Sequence, residues 1–486
     1  MLRNKIYLLI FLICTAFSFG STHNKLDSIP LGEYQYIENT NDDNLRIVQA
    51  VKVTSVDPIK AKDQYSTRVI EKMYDTLFEY NKEGKIEPHL VKEWNWFDDR
   101  TLSLKLKDNV YFHNGEEMTA QDVKKSFERM ISQGVFKDLF DDIENIKIVN
   151  NKELNFKLKG KNNLFIPMLT YQMSSIIKEK NGKIIGTGPY ILEKINNKEV
   201  VLRKNDNYFL KNKGAKKITL IFEGSERRRI ISFFNESVDG VADITNKNII
   251  QARKEGLIPD DVLELEGKNI NTITLMFGKK NKIFATRESR EAIEEAIDRK
   301  ALTKETLGIS EVTTFFPKEF FNAKLSKIKE NFNISKSRNE IKRLGLNKIS
   351  MELTILNDST SLELAKKIKK QLLNVGITVN IVPYQQEAYL MKIESKEYEL
   401  SLYDIATNSN YQLYNLGRIL LYDIQDVDMY NAIKPFINIM KNEQKEENRE
   451  KVYDKIVYLI SKNIPYIPLA HNKNLIIGNE KIKELK

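Results

Sequence analysis

Four histidines, one cysteine and one glycine-rich pentad have the most direct chemical reach in this chain. His23, His89, His113 and His471 are scattered, and no pair has the spacing that ligates a metal. Cys14 sits inside an apolar N-terminal run, so no thiol is placed for nucleophilic work. A nucleophile elbow of the form G-x-S-x-G is absent. Gly186-Thr187-Gly188-Pro189-Tyr190 could suggest a phosphate cradle. Its spacing fits neither a P-loop nor a dinucleotide fingerprint, and the ILEKI run behind it reads as a strand, not a helix. The 67 acidic residues are too many for any carboxylate pair to stand out. These residues therefore argue for binding rather than catalysis, with no metal and no cofactor expected.

The elements that would carry a binding site are legible in several places. Leu102, Leu104 and Leu106 alternate with polar residues, the period of a half-buried strand. Val110 to Phe112 is a second short run, and Asn114-Gly115 supplies a tight turn. Thr119 with Asp122 forms a capping box that opens a helix whose inner face is Val123, Phe127, Met130 and Ile131. Ser66 to Tyr80 has helical spacing at Val69, Met73, Leu77 and Phe78. Trp94 and Trp96, the two tryptophans, are expected to anchor a core. Ala292, Ile293, Ala296 and Ile297 share one helix face, which reads as packing. Met351 to Val382 is a βαβ unit closed by Gly376, which implies parallel strands.

The stretch HNGEEMTAQDVKKSFERM, with Phe112 before it, resembles the signature of the family 5 extracytoplasmic solute-binding proteins. These are the oligopeptide-, dipeptide- and nickel-binding receptors of ABC importers. Further blocks resemble the same family in the same order: Thr54 to Pro58, Glu87 to Trp96, Gly186 to Tyr190, Arg290 to Arg299, Tyr398 to Asp404 and Ile464 to Leu469. The resemblance implies an α/β fold: a two-lobe periplasmic-binding-protein clamp (type II, cluster C) with an extra small domain in the first lobe. It implies a discontinuous first-lobe core at 45–60, 183–270 and 465–486, the small domain at 61–182, and a second lobe at 271–464, with crossings near Gly186 and Gly267.

The resemblance also implies where ligand would touch. The segment after S-x-D-P lands on Lys62, Asp63 and Gln64. The second-lobe segment lands on Asp404 to Asn408, with Ile405 where the family has Trp and Asn408 where peptide-binding members have an Asp that pairs with an α-amino group. A neutral amide accepts a hydrogen bond from an ammonium but supplies no charge. Asp404, four residues earlier, or Asp63 is the alternative partner unless the ligand lacks an amino terminus, and a plain loop role for Asp404 and Asn408 stands beside this. The implied function is capture of a small solute, in first place a peptide, for delivery to inner-membrane ABC permease subunits. A nickel chelate, haem or glycan is the rival within the family, and an exported hydrolase the rival outside it.

The formal charge of +10 comes from scattered lysines with no dense basic block, so no nucleic-acid partner is expected, and a monomer is. Arg3 and Lys5 precede an apolar run from Ile6 to Phe19, too short to span a membrane, which reads as a signal peptide over 1–20. Ile13 before Cys14 is too bulky for a lipid-acylation motif. Residues 21–44 read as a leader. The expected product is periplasmic, without lipid and without disulfides. Intact mass of protein from the native envelope should match a chain beginning near Ser21; a diacylglycerol adduct on Cys14 overturns this.

Overall fold

The computed structural model describes residues 43–61, 63–81, 85–134, 140–244, 246–280, 282–304, 309–312, 328, 330–406, 420, 426–443 and 445–485. The chain enters on β1 (Asn44–Gln49) and the Gln64–Met73 helix. It then builds a smaller unit from β2 (Phe78–Tyr80), β3 (Ile86–Pro88), β4 (Val91–Asp98), β5 (Thr101–Leu106), β6 (Ile143–Asn150), β7 (Glu153–Leu158), β8 (Lys178–Lys180) and β9 (Lys183–Ile185). It returns through β10 (Tyr190–Ile195), β11 (Glu199–Lys204), β12 (Lys217–Phe222) and β13 (Gly240–Ala242). The long β14 (Leu263–Phe277) leads to β15 (Ile309–Glu311), β16 (Ser350–Leu356), β17 (Thr378–Tyr384) and β18 (Leu400–Ala406), and β19 (Tyr466–Gly478) comes back.

One sheet of eleven strands runs through both halves in the order β10-β11-β12-β1-β13-β19-β14-β18-β16-β17, with β15 on β19. β1 is parallel to β12 and β13, and β16 is parallel to β17 and β18. The βαβ reading of Met351 to Val382 holds, with the Ser359–Leu373 helix as crossover and Gly376 at φ 92°. β14 and β19 pair along nearly their full length, with register shifts between Glu266, Asn269 and Asn271. Among the described residues these two strands are where the backbone passes from one half to the other.

The smaller unit has its own core, from Ile59 to Ile176. Its sheet, β4-β5-β7-β6, buries Leu102, Leu104 and Leu106 against Val123, Phe127 and Met130 of the Ala120–Gln133 helix. The Thr119–Asp122 capping box is present in full. Two expectations differ. The helix from Gln64 stops at Met73, because Tyr74 turns to extended backbone and Gly188 donates its N–H to the Met73 carbonyl at 3.0 Å. A Cβ on Gly186 or Gly188 would collide with that carbonyl, so glycine is required at both places. Trp94 is 44% exposed on the edge strand β4, edge-on to Phe78, and Trp96 is half-buried. Neither is the deep anchor that its size suggested.

Buried polar joints fasten the smaller unit to the β1 half. Arg129 grips Asp57 with two bonds of 3.0 and 2.7 Å, each side chain 9% exposed. Within the smaller unit, Ser126 donates to the Ile177 carbonyl and accepts from its N–H. The His113 ring bonds the Gly188 carbonyl, and burial pushes its pKa down to about 4. His89 lies between the Asp75 and Glu79 carboxylates, 2.9 Å from each. Burial opposes its charge, but these two contacts outweigh burial and lift it to about 9. Asp75 also accepts from Thr187 and Tyr208. Replacing Arg129 strands a buried carboxylate, so Arg129→Ala should cost about 3–5 kcal/mol. Urea unfolding measures this; a loss below about 1 kcal/mol makes the joint incidental.

Candidate functional site

In open α/β sheets, ligands collect at the carboxyl ends of parallel strands. Here the ends of β1 and β13 face the ends of β16 and β18 across a partly open cavity of about 130 Å³. A cavity of this size holds a group of roughly benzene dimensions. Its walls come from both halves: Ala50, Tyr65 and Asp243 on one side, Leu356, Tyr389 and Asp404 on the other. Two further recesses, of about 270 and 510 Å³, share Ala50, Val51, Leu356, Gln386 and then Gly224, Asn357 with it or with each other, so the cleft continues outward. Gln386 donates to the Lys52 carbonyl at 3.0 Å, and Lys52 pairs with Glu387 at 2.5 Å, so the two halves touch beside the cleft. That exposed ion pair adds little energy of its own.

The chemistry of the cavity is acidic. Asp63, Asp243, Asp358 and Asp404 all line it, and among the described residues no lysine, arginine or histidine does. The fold places each carboxylate for a reason. Asp63 caps the Gln64–Met73 helix through the Ser66 N–H at 2.8 Å and also accepts from the Ser66 and Thr54 hydroxyls. Asp358 caps the Ser359–Leu373 helix through the Ser361 N–H at 2.9 Å and its hydroxyl at 2.6 Å. Asp243 follows β13 at φ 58°, a region Asp tolerates, and accepts the Ala50 N–H at 3.0 Å. Buried Arg229 braces this wall, holding the carbonyls of Glu223, Gly224 and Asp243 at 2.7, 3.0 and 2.6 Å. Asp404 accepts from the Asn271 amide at 3.2 Å.

The crowding shows in the titration of the lining. Burial first, then Asp243 and Asp404, raise Asp358 to about 6 against the pull of its own Ser361 bonds. Burial and the same neighbouring carboxylates push the Tyr65 hydroxyl well above its usual range.

Of the residues expected to touch ligand, Asp63 and Asp404 come together in the cavity. Ile405 turns to the other face of β18 and is buried in the core that contains Tyr389, Met429 and Tyr453. Gln64 begins its helix, but its side chain, Lys62 and Asn408 lie outside the described residues. Tyr65, Asp243, Asp358, Gln386 and Tyr389 were not anticipated. The available signal was positional: Asp243 and Asp358 each follow a strand that ends at the cleft.

Residues 85–421 match the family described as bacterial extracellular solute-binding proteins, family 5 middle. The chain belongs to that family. Its members are the solute-binding receptors of ABC importers. Among curated relatives, the nickel-binding protein NikA of Staphylococcus aureus is 24% identical over 466 residues, covering 88% of this chain and 90% of the relative. The murein peptide-binding protein MppA of Escherichia coli is 25% identical over 290 residues, covering 53% of each. Among solved structures, DppA of Helicobacter pylori with the peptide STSA superposes with a TM-score of 0.79 at 21% identity, over 90% of this chain and 93% of that one. NikA of S. aureus with Ni(L-His)2 gives 0.79 at 19%, over 90% and 95%. The fold is therefore the mixed α/β, type II periplasmic-binding-protein fold. Among the described residues no helix is long and apolar enough to cross a membrane, and no group of three or more His, Cys, Asp or Glu is arranged to hold a metal.

An acid with a raised pKa binds more protons folded than unfolded, so it erodes stability as pH rises from 3.8 to about 6. Asp358→Asn keeps a capping oxygen and removes the titration. The variant should gain on wild type as pH rises through that window, by urea unfolding; a constant difference overturns the assignment.

Proposed function

We propose that this family 5 receptor captures a small solute through a cationic group held in the inner cavity, in first place the amino terminus of a short peptide, and presents it to the permease of an ABC importer. The observation that carries this reading is the cavity between the two halves, with carboxylates on both walls and no cation among the described residues that line it. An ammonium group buried there needs a carboxylate partner, since an unpaired buried charge is costly. Asp63 and Asp358 spend their oxygens on helix caps and hydroxyls, and Asp243 holds a backbone amide. Asp404 lies on the far wall near the end of β18, where it caps no helix and accepts from the neutral Asn271 amide, and it is the proposed anchor. The outward recesses give room for the rest of a peptide. Binding stabilises the closed arrangement because only that arrangement brings both walls to the ligand.

A nickel chelate is the second reading, favoured by the match to the S. aureus nickel-binding protein over 88% of the chain. The metal would enter with its own ligands, as the described residues offer no metal cluster.

Calorimetry with trialanine, N-acetyl-trialanine and Ni(II) with excess L-histidine separates the two. Trialanine should bind and the acetylated form should not. Asp404→Asn should weaken trialanine by about 2–5 kcal/mol, the cost of leaving one ion buried alone. Equal binding of both peptides sinks the ammonium reading, and binding of the nickel–histidine complex alone replaces it with the chelate.

A further inference from the structure

A second set of contacts joins the two halves at a place where no ligand would sit. The smaller unit is fixed to the β1 half by the Arg129–Asp57 and His89–Asp75 joints, so it moves with that half. Its segment Asn162–Leu164 nonetheless docks on the opposite half. Leu164 is 6% exposed and packs in an apolar cluster otherwise made of residues from the far half, including Tyr389, Ile433, Met440 and Ile460. Beside it, the Asn163 N–H donates to the Lys441 carbonyl at 2.8 Å, and the Asn163 amide to the Glu443 carbonyl at 3.3 Å. These carbonyls belong to the end of the Val427–Asn442 helix and the residue that follows it. Helix ends leave carbonyls without intrahelical donors, so Asn163 supplies from across the gap what a C-cap supplies locally. Lys441 reaches back to Asp142 at 2.5 Å.

The segment is prepared for this. Asn162 is 1% exposed, its amide nitrogen bonds Asp142 at 2.8 Å, and its side-chain oxygen accepts the Leu164 N–H at 3.0 Å. That turn holds Leu164 outward, toward the far half. Among the described residues the two halves share backbone in β14 and β19, so opening about those strands must withdraw Leu164 and break the Asn163 and Lys441 bonds together. None of these residues lines the cavity.

We infer that Asp142, Asn163, Leu164 and Lys441 form a latch between the smaller unit and the far half, which favours the closed form before any ligand arrives and so sets how tightly a ligand is held. Closing buries an apolar side chain and satisfies two helix-end carbonyls, whatever the ligand is. The latch is thus independent of the cavity's specificity, and it stands or falls separately from the ammonium reading.

The experiment reads conformation without ligand. Spin labels at Asp206→Cys and Lys369→Cys, both exposed and on opposite halves, report the separation by electron–electron resonance in a chain with Cys14→Ser. The otherwise wild-type chain should give mainly the short separation. Leu164→Ser with Lys441→Ala should shift the closed-to-open ratio toward the long one by roughly tenfold or more. Lys434→Ala, which removes an exposed charge on the same helix, should change nothing. If the double variant does not fold, Asn163→Ala with Lys441→Ala carries the same expectation. An unchanged distribution in the folded latch variant, an open wild type, or an equal shift in Lys434→Ala overturns the latch.

Discussion

The constraint on which the rest depends is that two halves share one sheet and, among the described residues, two connecting strands. β14 and β19 each belong to both halves, paired from Leu263 with Gly478 to Met276 with Tyr466. Their ladder is irregular around Glu266 to Asn271, where the register shifts twice. A continuous ladder resists bending, whereas a bulged one kinks and twists locally. The molecule thus has stiff bodies on either side of a short compliant stretch, and the acidic cavity lies beside it, with Asn271 and Ile273 of β14 in its wall.

Rigidity of the β1 half is bought by polar joints rather than by a larger core. Asp57 with Arg129, Asp75 with His89, and the close approach of Gly186 and Gly188 to Met73 bind the smaller unit to its neighbour. A buried ion pair of this kind adds less stability than its Coulomb attraction suggests, but breaking it is costly, so the joint is specific. That specificity allows a distant loop such as Asn162–Leu164 to act on the same motion as the cavity walls.

Much of the local structure was legible because it rests on short-range rules. The Thr119–Asp122 box, the βαβ unit and the Gly376 turn follow from capping, periodicity and positive φ, and all are present. The residues that resembled a family signature prove to be the joints: Ser126 holds Ile177, Arg129 holds Asp57, and His113 meets Gly188. What was not legible depends on partners distant in sequence. The spacing of Val69, Met73 and Leu77 continues a helix on paper, yet Gly188, 115 residues beyond Met73, captures the Met73 carbonyl and ends it. Asp243 and Asp358 have nothing in their neighbouring sequence that marks the cavity, because only the folded sheet brings their strand ends face to face.

Those borrowed carboxylates bear on how such a receptor changes its diet. Asp63 and Asp358 each start a helix, and Asp243 secures the turn after β13. Removing their charge to suit an anionic nutrient would loosen the same turns that support the walls. Descendants of this chain have an easier route through positions with no duty as caps, such as Tyr65, Gln386 and Tyr389, which vary shape and reach while the negative interior persists. With the proposed cationic ligand, divergence within its lineage would then sort among positively charged nutrients more readily than it would cross to negative ones.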